Sequence, residues 1–115
     1  MGKHRKVPPP PSIPGLVDAH CHLDYPPMAD DVDATLARAR AAGVEQVVHI
    51  ACRREAFTGA VALIEAHPQV FAAVGVHPHD ATTLDDATLA EIEAIVRRYP
   101  GRVVAVGETG LDYYY

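Results

Sequence analysis

Two cysteines, Cys21 and Cys52, are all the sequence holds. With no sign of secretion, they read as free thiols in a reducing, cytoplasmic compartment. Long apolar runs are also missing, so no stretch is suited to crossing a bilayer. No apolar segment follows the basic start Lys3, His4, Arg5 and Lys6, which therefore does not read as a secretory signal. Positive charge is scarce. There are 10 Lys and Arg against 15 Asp and Glu, for a formal net charge of −5. That balance offers no broad basic face for grasping nucleic acid. Finally, no Gly-x-Gly-x-x-Gly follows the first apolar run, which removes support for a dinucleotide-binding sheet.

What is present is a regular alternation. Residues 1–14 read as a disordered basic and proline-rich leader, since Pro8 to Pro11 form an extended run that cannot be helical. From residue 15 the periodicity predicts strands over 15–20, 46–52, 70–76 and 103–107. Between them it predicts helices over 31–42, 54–67 and 85–99, the last with Leu89, Ile92 and Val96 spaced by three and four. Gly43, Pro68 and Pro100-Gly101 act as stop signals. The strands are continuous apolar runs, as expected where helices cover a parallel sheet. Strand–helix alternation of this kind predicts an α/β fold with right-handed crossovers. A (β/α)8 barrel takes roughly 250 residues. The expectation is therefore the N-terminal half of a TIM-type barrel, with about four parallel strands and three helices over residues 15–115.

The ionisable residues gather at the C-terminal ends of these strands. His20 and His22 close the first as His-Cys-His, and residues two apart on a strand face the same side. Both imidazoles can then enter one cavity while Cys21 points away. Imidazole suits zinc, iron, nickel and similar ions, and a ligating His needs an oriented partner for its second nitrogen. Asp18 shares the parity and is a candidate for that support. Asp18, His20, His22 and Asp24 together crowd polar groups onto an apolar strand, where burial without partners is costly. A second cluster, Gly75-Val76-His77-Pro78-His79-Asp80, ends the third strand. His77 is the candidate site residue there, and for His79 a turn cap explains the pattern equally well. A third, Gly107-Glu108-Thr109-Gly110-Leu111-Asp112-Tyr113, ends the fourth. The two oxygens of Glu108 suit it to bridge two ions, and the flanking glycines permit close backbone approach. Taken alone, Glu108 fits a helix-capping carboxylate equally well, and the histidines at matching strand ends tip the reading to a metal ligand.

These three clusters, in this order, resemble successive signatures of the TatD family of metal-dependent hydrolases. The resemblance runs from the first strand to the last residue and leaves out the leader. It implies a (β/α)8 barrel whose two divalent metal ions (Mg, Zn, Mn or similar) hydrolyse phosphodiesters, as a DNase or 3′-exonuclease acting on single-stranded DNA. By resemblance, His20 and His22 are ligands of the first metal, Glu108 bridges both, and His77 contacts substrate or phosphate. The family's remaining ligands, two histidines and an aspartate, lie on later strands. The isolated chain is accordingly expected to be a truncated, inactive or weakly active form. Two other readings stand beside this one. A PHP-type phosphoesterase or another amidohydrolase-like enzyme also places His-x-His after its first strand. A non-catalytic half-barrel would self-associate through its open sheet edges.

Overall fold

The computed structural model describes residues 7–8 and 11–114. Lys3, His4, Arg5 and Lys6 of the expected leader, with Pro9 and Pro10, lie outside the described residues. Strands β1 (Leu16–Cys21), β2 (Val44–Ala51), β3 (Val70–Val74) and β4 (Val103–Val106) alternate with helices α1 (Val32–Ala41), α2 (Phe57–Ala66) and α3 (Asp86–Arg98). The four strands form one sheet in the order β1-β2-β3-β4, and each neighbouring pair is parallel. This is the α/β alternation read from the sequence. The helix expected over 54–67 is divided: Arg54–Ala56 is a 3₁₀ turn and the α-helix begins at Phe57. No side chain caps that start, so the first turn tightens into i→i+3 bonding.

The other two helices start at side-chain caps. Asp31 accepts from the Ala34 N–H at 2.9 Å, and Asp85 accepts from the Thr88 N–H at 2.7 Å. Those bonds from Thr88 hold the Asp85 carboxyl below the usual carboxylate range. α1 ends at Gly43, whose φ of +98° suits glycine. A side chain there would also collide with the Ile13 carbonyl, 1.7 Å from the Cβ position. The approach is close because the Ile13 N–H donates to the Ala42 carbonyl at 3.0 Å, which ties residue 13 to the end of α1.

The core lies between the helices and one face of the sheet. Val47, Ala51, Val70, Ala72, Val74 and Val103 supply the sheet side; Leu36, Phe57, Ala60, Ile64 and Ile92 supply the helix side. The apolar runs led to the expectation of burial on both faces. Among the described residues the helix-covered face is buried throughout, whereas on the opposite face only the middle of the sheet, at Ile50 and Ala73, is buried. Val104 and Val106 are about half exposed, and β1 is exposed along most of its length. A parallel sheet lined on one side by helices, with an apolar opposite face, is the wall of a (β/α) barrel, whose interior strands close around that face.

Arg102, just before β4, clamps the bottom of this wall. Its Nη2 donates to the carbonyls of Ile64, His67 and Val70 at 2.7, 3.0 and 2.6 Å, sharing two hydrogens among three acceptors. The guanidinium also lies over the Phe71 ring at 5.4 Å. A lysine offers neither the planar fork nor the stacking. Arg102→Ala is expected to destabilise the fold by about 2–4 kcal/mol, since charge-assisted bonds to buried carbonyls are lost. Arg102→Lys should recover less than half of that. Urea midpoints at unchanged slope check both.

Candidate metal centre

Because all four strands are parallel, their C-terminal ends lie along one edge, and the three polar clusters meet there. Glu108 is the hub. Its Oε1 lies 3.5 Å from His20 Nε2 and 3.9 Å from His22 Nε2, and its Oε2 lies 3.5 Å from His77 Nε2. The separations to Oε1 are too long for good hydrogen bonds. The 3.5 Å to His20 matches joint coordination, since tetrahedral bonds of about 2.0–2.2 Å set ligand atoms roughly 3.3–3.6 Å apart, and the 3.9 Å to His22 is slightly wider. One atom each of His20, His22 and Glu108 lie within 4.8 Å of one another. Among the described residues this is the one such cluster of three.

Hydrogen bonds assign the two kinds of histidine different tasks. His22 Nδ1 is 3.1 Å from the Ile50 carbonyl. A carbonyl only accepts, so Nδ1 carries the proton and Nε2 keeps a lone pair toward Glu108. The ring is further fixed by stacking on Tyr25, with centroids 5.0 Å apart at 17°. His77 is the reverse. Its Nδ1 accepts from the His79 N–H at 2.9 Å, so the neutral ring bears its proton on Nε2 and presents a donor to Glu108 Oε2. His77 therefore turns an N–H toward the carboxylate across 3.5 Å, too far for a good hydrogen bond and without a lone pair to offer an ion.

The other expected residues are placed elsewhere. Asp18 does not support the imidazoles: its carboxylate accepts from the His20 backbone N–H at 3.1 Å, a short loop within its own strand. Asp24 lines a different cavity of about 390 Å³ on the helix side, with Leu23, Ala29, Val32 and His49. His77 caps a 3₁₀ segment (Pro78–Thr83) and faces Glu108 as well, so turn and site readings both hold for it. The His79 ring stands 6.2 Å from that of His77 and outside the three-residue cluster. Cys21 points away from the cluster, as parity requires, and donates its thiol hydrogen to the Val48 carbonyl at 3.4 Å. Burial, then the charges of Asp18 and Asp24, push that thiol up to about 11.

The sequence profile described as TatD related DNase matches residues 17–115. The chain belongs to the TatD related DNase family. Three relatives bear this out. YjjV of Escherichia coli strain K12, described as an uncharacterized metal-dependent hydrolase, is 40% identical over 99 residues, which cover 86% of this chain and 38% of the relative. The crystal structure of YjjV matches with a TM-score of 0.79 at 39% identity, over 87% of this chain and 39% of that one. Deoxyribonuclease TATDN3 of Homo sapiens is 35% identical over 106 residues, 86% of this chain and 39% of the relative. The 3′-5′ ssDNA/RNA exonuclease TatD of Cronobacter sakazakii is 39% identical over 83 residues, 72% and 31% respectively. The chain thus spans less than two-fifths of the length of the curated relatives it matches. These matches favour the TatD reading over the PHP-type alternative.

Within the TatD frame, two neighbours of the cluster were not singled out by sequence reasoning. Tyr25 stacks on His22, and only the fold brings their rings together. His49 is 1% exposed and accepts from the Leu23 N–H at 3.1 Å. Its signal was available: a histidine inside the apolar run Val47-Val48-His49-Ile50 is a buried polar group that needs a partner. Burial pushes the His49 imidazole below its ordinary pKa, which keeps it neutral.

Glu108 reaches its place because Gly75 lets the two strand ends touch. A Cβ on Gly75 would lie 2.6 Å from the carbonyl carbon and oxygen of Gly107. Gly75→Ala is expected to force β3 and β4 apart, costing about 1–3 kcal/mol of stability and displacing Glu108 from the histidines. Thermal melts read the first effect, and divalent-ion titration reads the second. For Cys21, two pKa units of depressed acidity predict roughly hundredfold slower alkylation by iodoacetamide in the folded protein than in urea at pH 8. Peptide mass spectrometry of timed quenches gives the ratio.

Proposed function

We propose that this chain carries the first-metal portion of a TatD-type hydrolase site acting on phosphodiesters of single-stranded nucleic acid. The observation that supports this most is the donor set around Glu108: two imidazoles and one carboxylate oxygen, spaced for one ion rather than for hydrogen bonding. His20 Nε2, His22 Nε2 and Glu108 Oε1 would hold that ion. Borderline nitrogen and oxygen donors of this kind fit zinc, manganese and similar divalent ions. A second ion, shared through Glu108 Oε2, is the finer part of the proposal; its other ligands, by resemblance, are not among the described residues. When bound, such ions supply Lewis acidity toward a phosphate oxygen.

The chain's own residues do the rest. The Ile50 carbonyl holds the proton of His22 on Nδ1. His77, a third exposed, keeps its Nε2–H at the open side of Glu108, placed to donate to a phosphate oxygen. A net charge of −5 offers no long-range attraction to a polyanion, so these local groups carry substrate binding. The nuclease names of the human and Cronobacter relatives support the substrate class. A reducing, cytoplasmic setting is supported by the two free thiols.

Calorimetric titration with Zn²⁺ and Mn²⁺ tests the assignment. One ion per chain is expected, with affinity falling by at least roughly 100-fold in His20→Ala and in Glu108→Gln, because each removes a direct ligand. In a parallel assay, end-labelled single-stranded DNA and a small phosphomonoester are offered with excess metal. Any cleavage is expected on DNA alone and only in the protein with His20 intact. DNA cleavage that survives both substitutions overturns the assignment. Turnover of the monoester without DNA cleavage favours a phosphoesterase of another class.

A further inference from the structure

β1 and β2 are joined beyond their backbone ladder by a second set of bonds made through side chains. The ladder reaches Cys21 opposite His49 and is irregular between Asp18 and Cys21. Past that point the chain leaves the sheet, and the Leu23 side chain drops into the core at 3% exposure. Its amide N–H finds no strand carbonyl. It donates instead to Nδ1 of His49 at 3.1 Å. On either side of His49, the Val48 carbonyl accepts from Cys21 Sγ and the Ile50 carbonyl accepts from His22 Nδ1. Three consecutive residues of β2 thus hold three consecutive residues of the His-Cys-His-Leu segment.

We propose that His49 is a positioning residue for the metal centre: its buried Nδ1 anchors the peptide that follows His22, and so sets where the His22 Nε2 lone pair points. This rests on the metal reading above. With Leu23 anchored on one side and the Ile50 carbonyl gripping Nδ1 on the other, the His22 ring has little freedom left. Without the anchor, the His22–Leu23 peptide can rotate and carry the ring away from Glu108. The ring of His49 supplies this acceptor at a cost, because its other nitrogen, Nε2, is buried with no partner among the described residues. Groups that orient ligands in this way change metal affinity without touching the ion.

Three substitutions separate anchoring from filling. The Oδ1 of an asparagine falls near the place of Nδ1, so His49→Asn keeps an acceptor for the Leu23 N–H. His49→Leu fills space without one, and His49→Gln puts its amide nearer the Nε2 position. Zn²⁺ binding to the full chain is measured for each, with circular dichroism to confirm folding. His49→Leu and His49→Gln are expected to bind roughly 10- to 100-fold more weakly than wild type. His49→Asn is expected to recover most of that loss. A purely structural role would lower the melting temperature of the Leu and Gln variants and leave the affinity of the folded protein unchanged; that result overturns the proposal. If His49→Leu does not fold, the Gln and Asn variants read the same difference. His20→Ala is the separating control. Binding lost there but intact in folded His49→Leu rejects positioning alone, whereas binding unchanged in His20→Ala rejects the metal reading and positioning with it.

Discussion

Where β3 and β4 leave the sheet, the Gly107 backbone comes so close to Gly75 that no side chain fits at Gly75. The site depends on this contact. Glu108 follows Gly107 directly, and His77 follows Gly75 by two residues, so strand ends in contact place a carboxylate against an imidazole. The Gly107 N–H donates to the Val74 carbonyl and the Gly75 N–H donates to the Ala51 carbonyl, both at 3.0 Å. Each strand end is therefore tied to the one before it. The His77 N–H continues the series by donating to the Cys52 carbonyl at 2.8 Å. A parallel ladder carried slightly past its regular strands becomes the floor of the site.

Upon that floor, the two oxygens of one carboxylate meet two sorts of histidine. The distinction comes from what each ring's far nitrogen touches. A carbonyl partner leaves His22 with a lone pair at Nε2, and an amide partner leaves His77 with a hydrogen there. One oxygen thus shares a potential ion with His20 and His22, while the other faces a donor. The charge pattern of the chain gains meaning from this division. On the proposed function, recognition of a phosphate falls to groups within a few ångströms of Glu108, since the net-acidic sequence offers no field to draw in a polyanion.

Much of this was legible before any coordinates. Strand and helix periods located all seven regular elements, and strand parity put His20 and His22 on one side with Cys21 on the other. The order of the three clusters pointed to TatD. Other features were not legible, for identifiable reasons. Asp18 looked like a partner for the imidazoles because it shares their parity, but its short side chain reaches a backbone amide two residues away first. Asp24 looked like part of the cluster by proximity in sequence, yet the chain turns after His22 and carries it to the helix side. The division of the second helix into a 3₁₀ turn and an α-helix reflects a missing cap, which a window of apolar spacing does not register.

By itself, the sequence determined the layer order, the strand ends at which ionisable side chains would appear, and the family, while Leu89, read onto the apolar face of α3, is half exposed. Those properties are local: they follow from side-chain period, turn residues and short motifs. Tertiary structure decided the rest. It set which nitrogen of His22 and of His77 carries the proton, gave Glu108 its role as hub, and enlisted His49 and Tyr25. Each of these depends on groups more than twenty residues apart in the chain, or on a backbone that turns between neighbours. A hydrogen-bond partner is chosen by distance in space, and sequence spacing carries that information only within a single element.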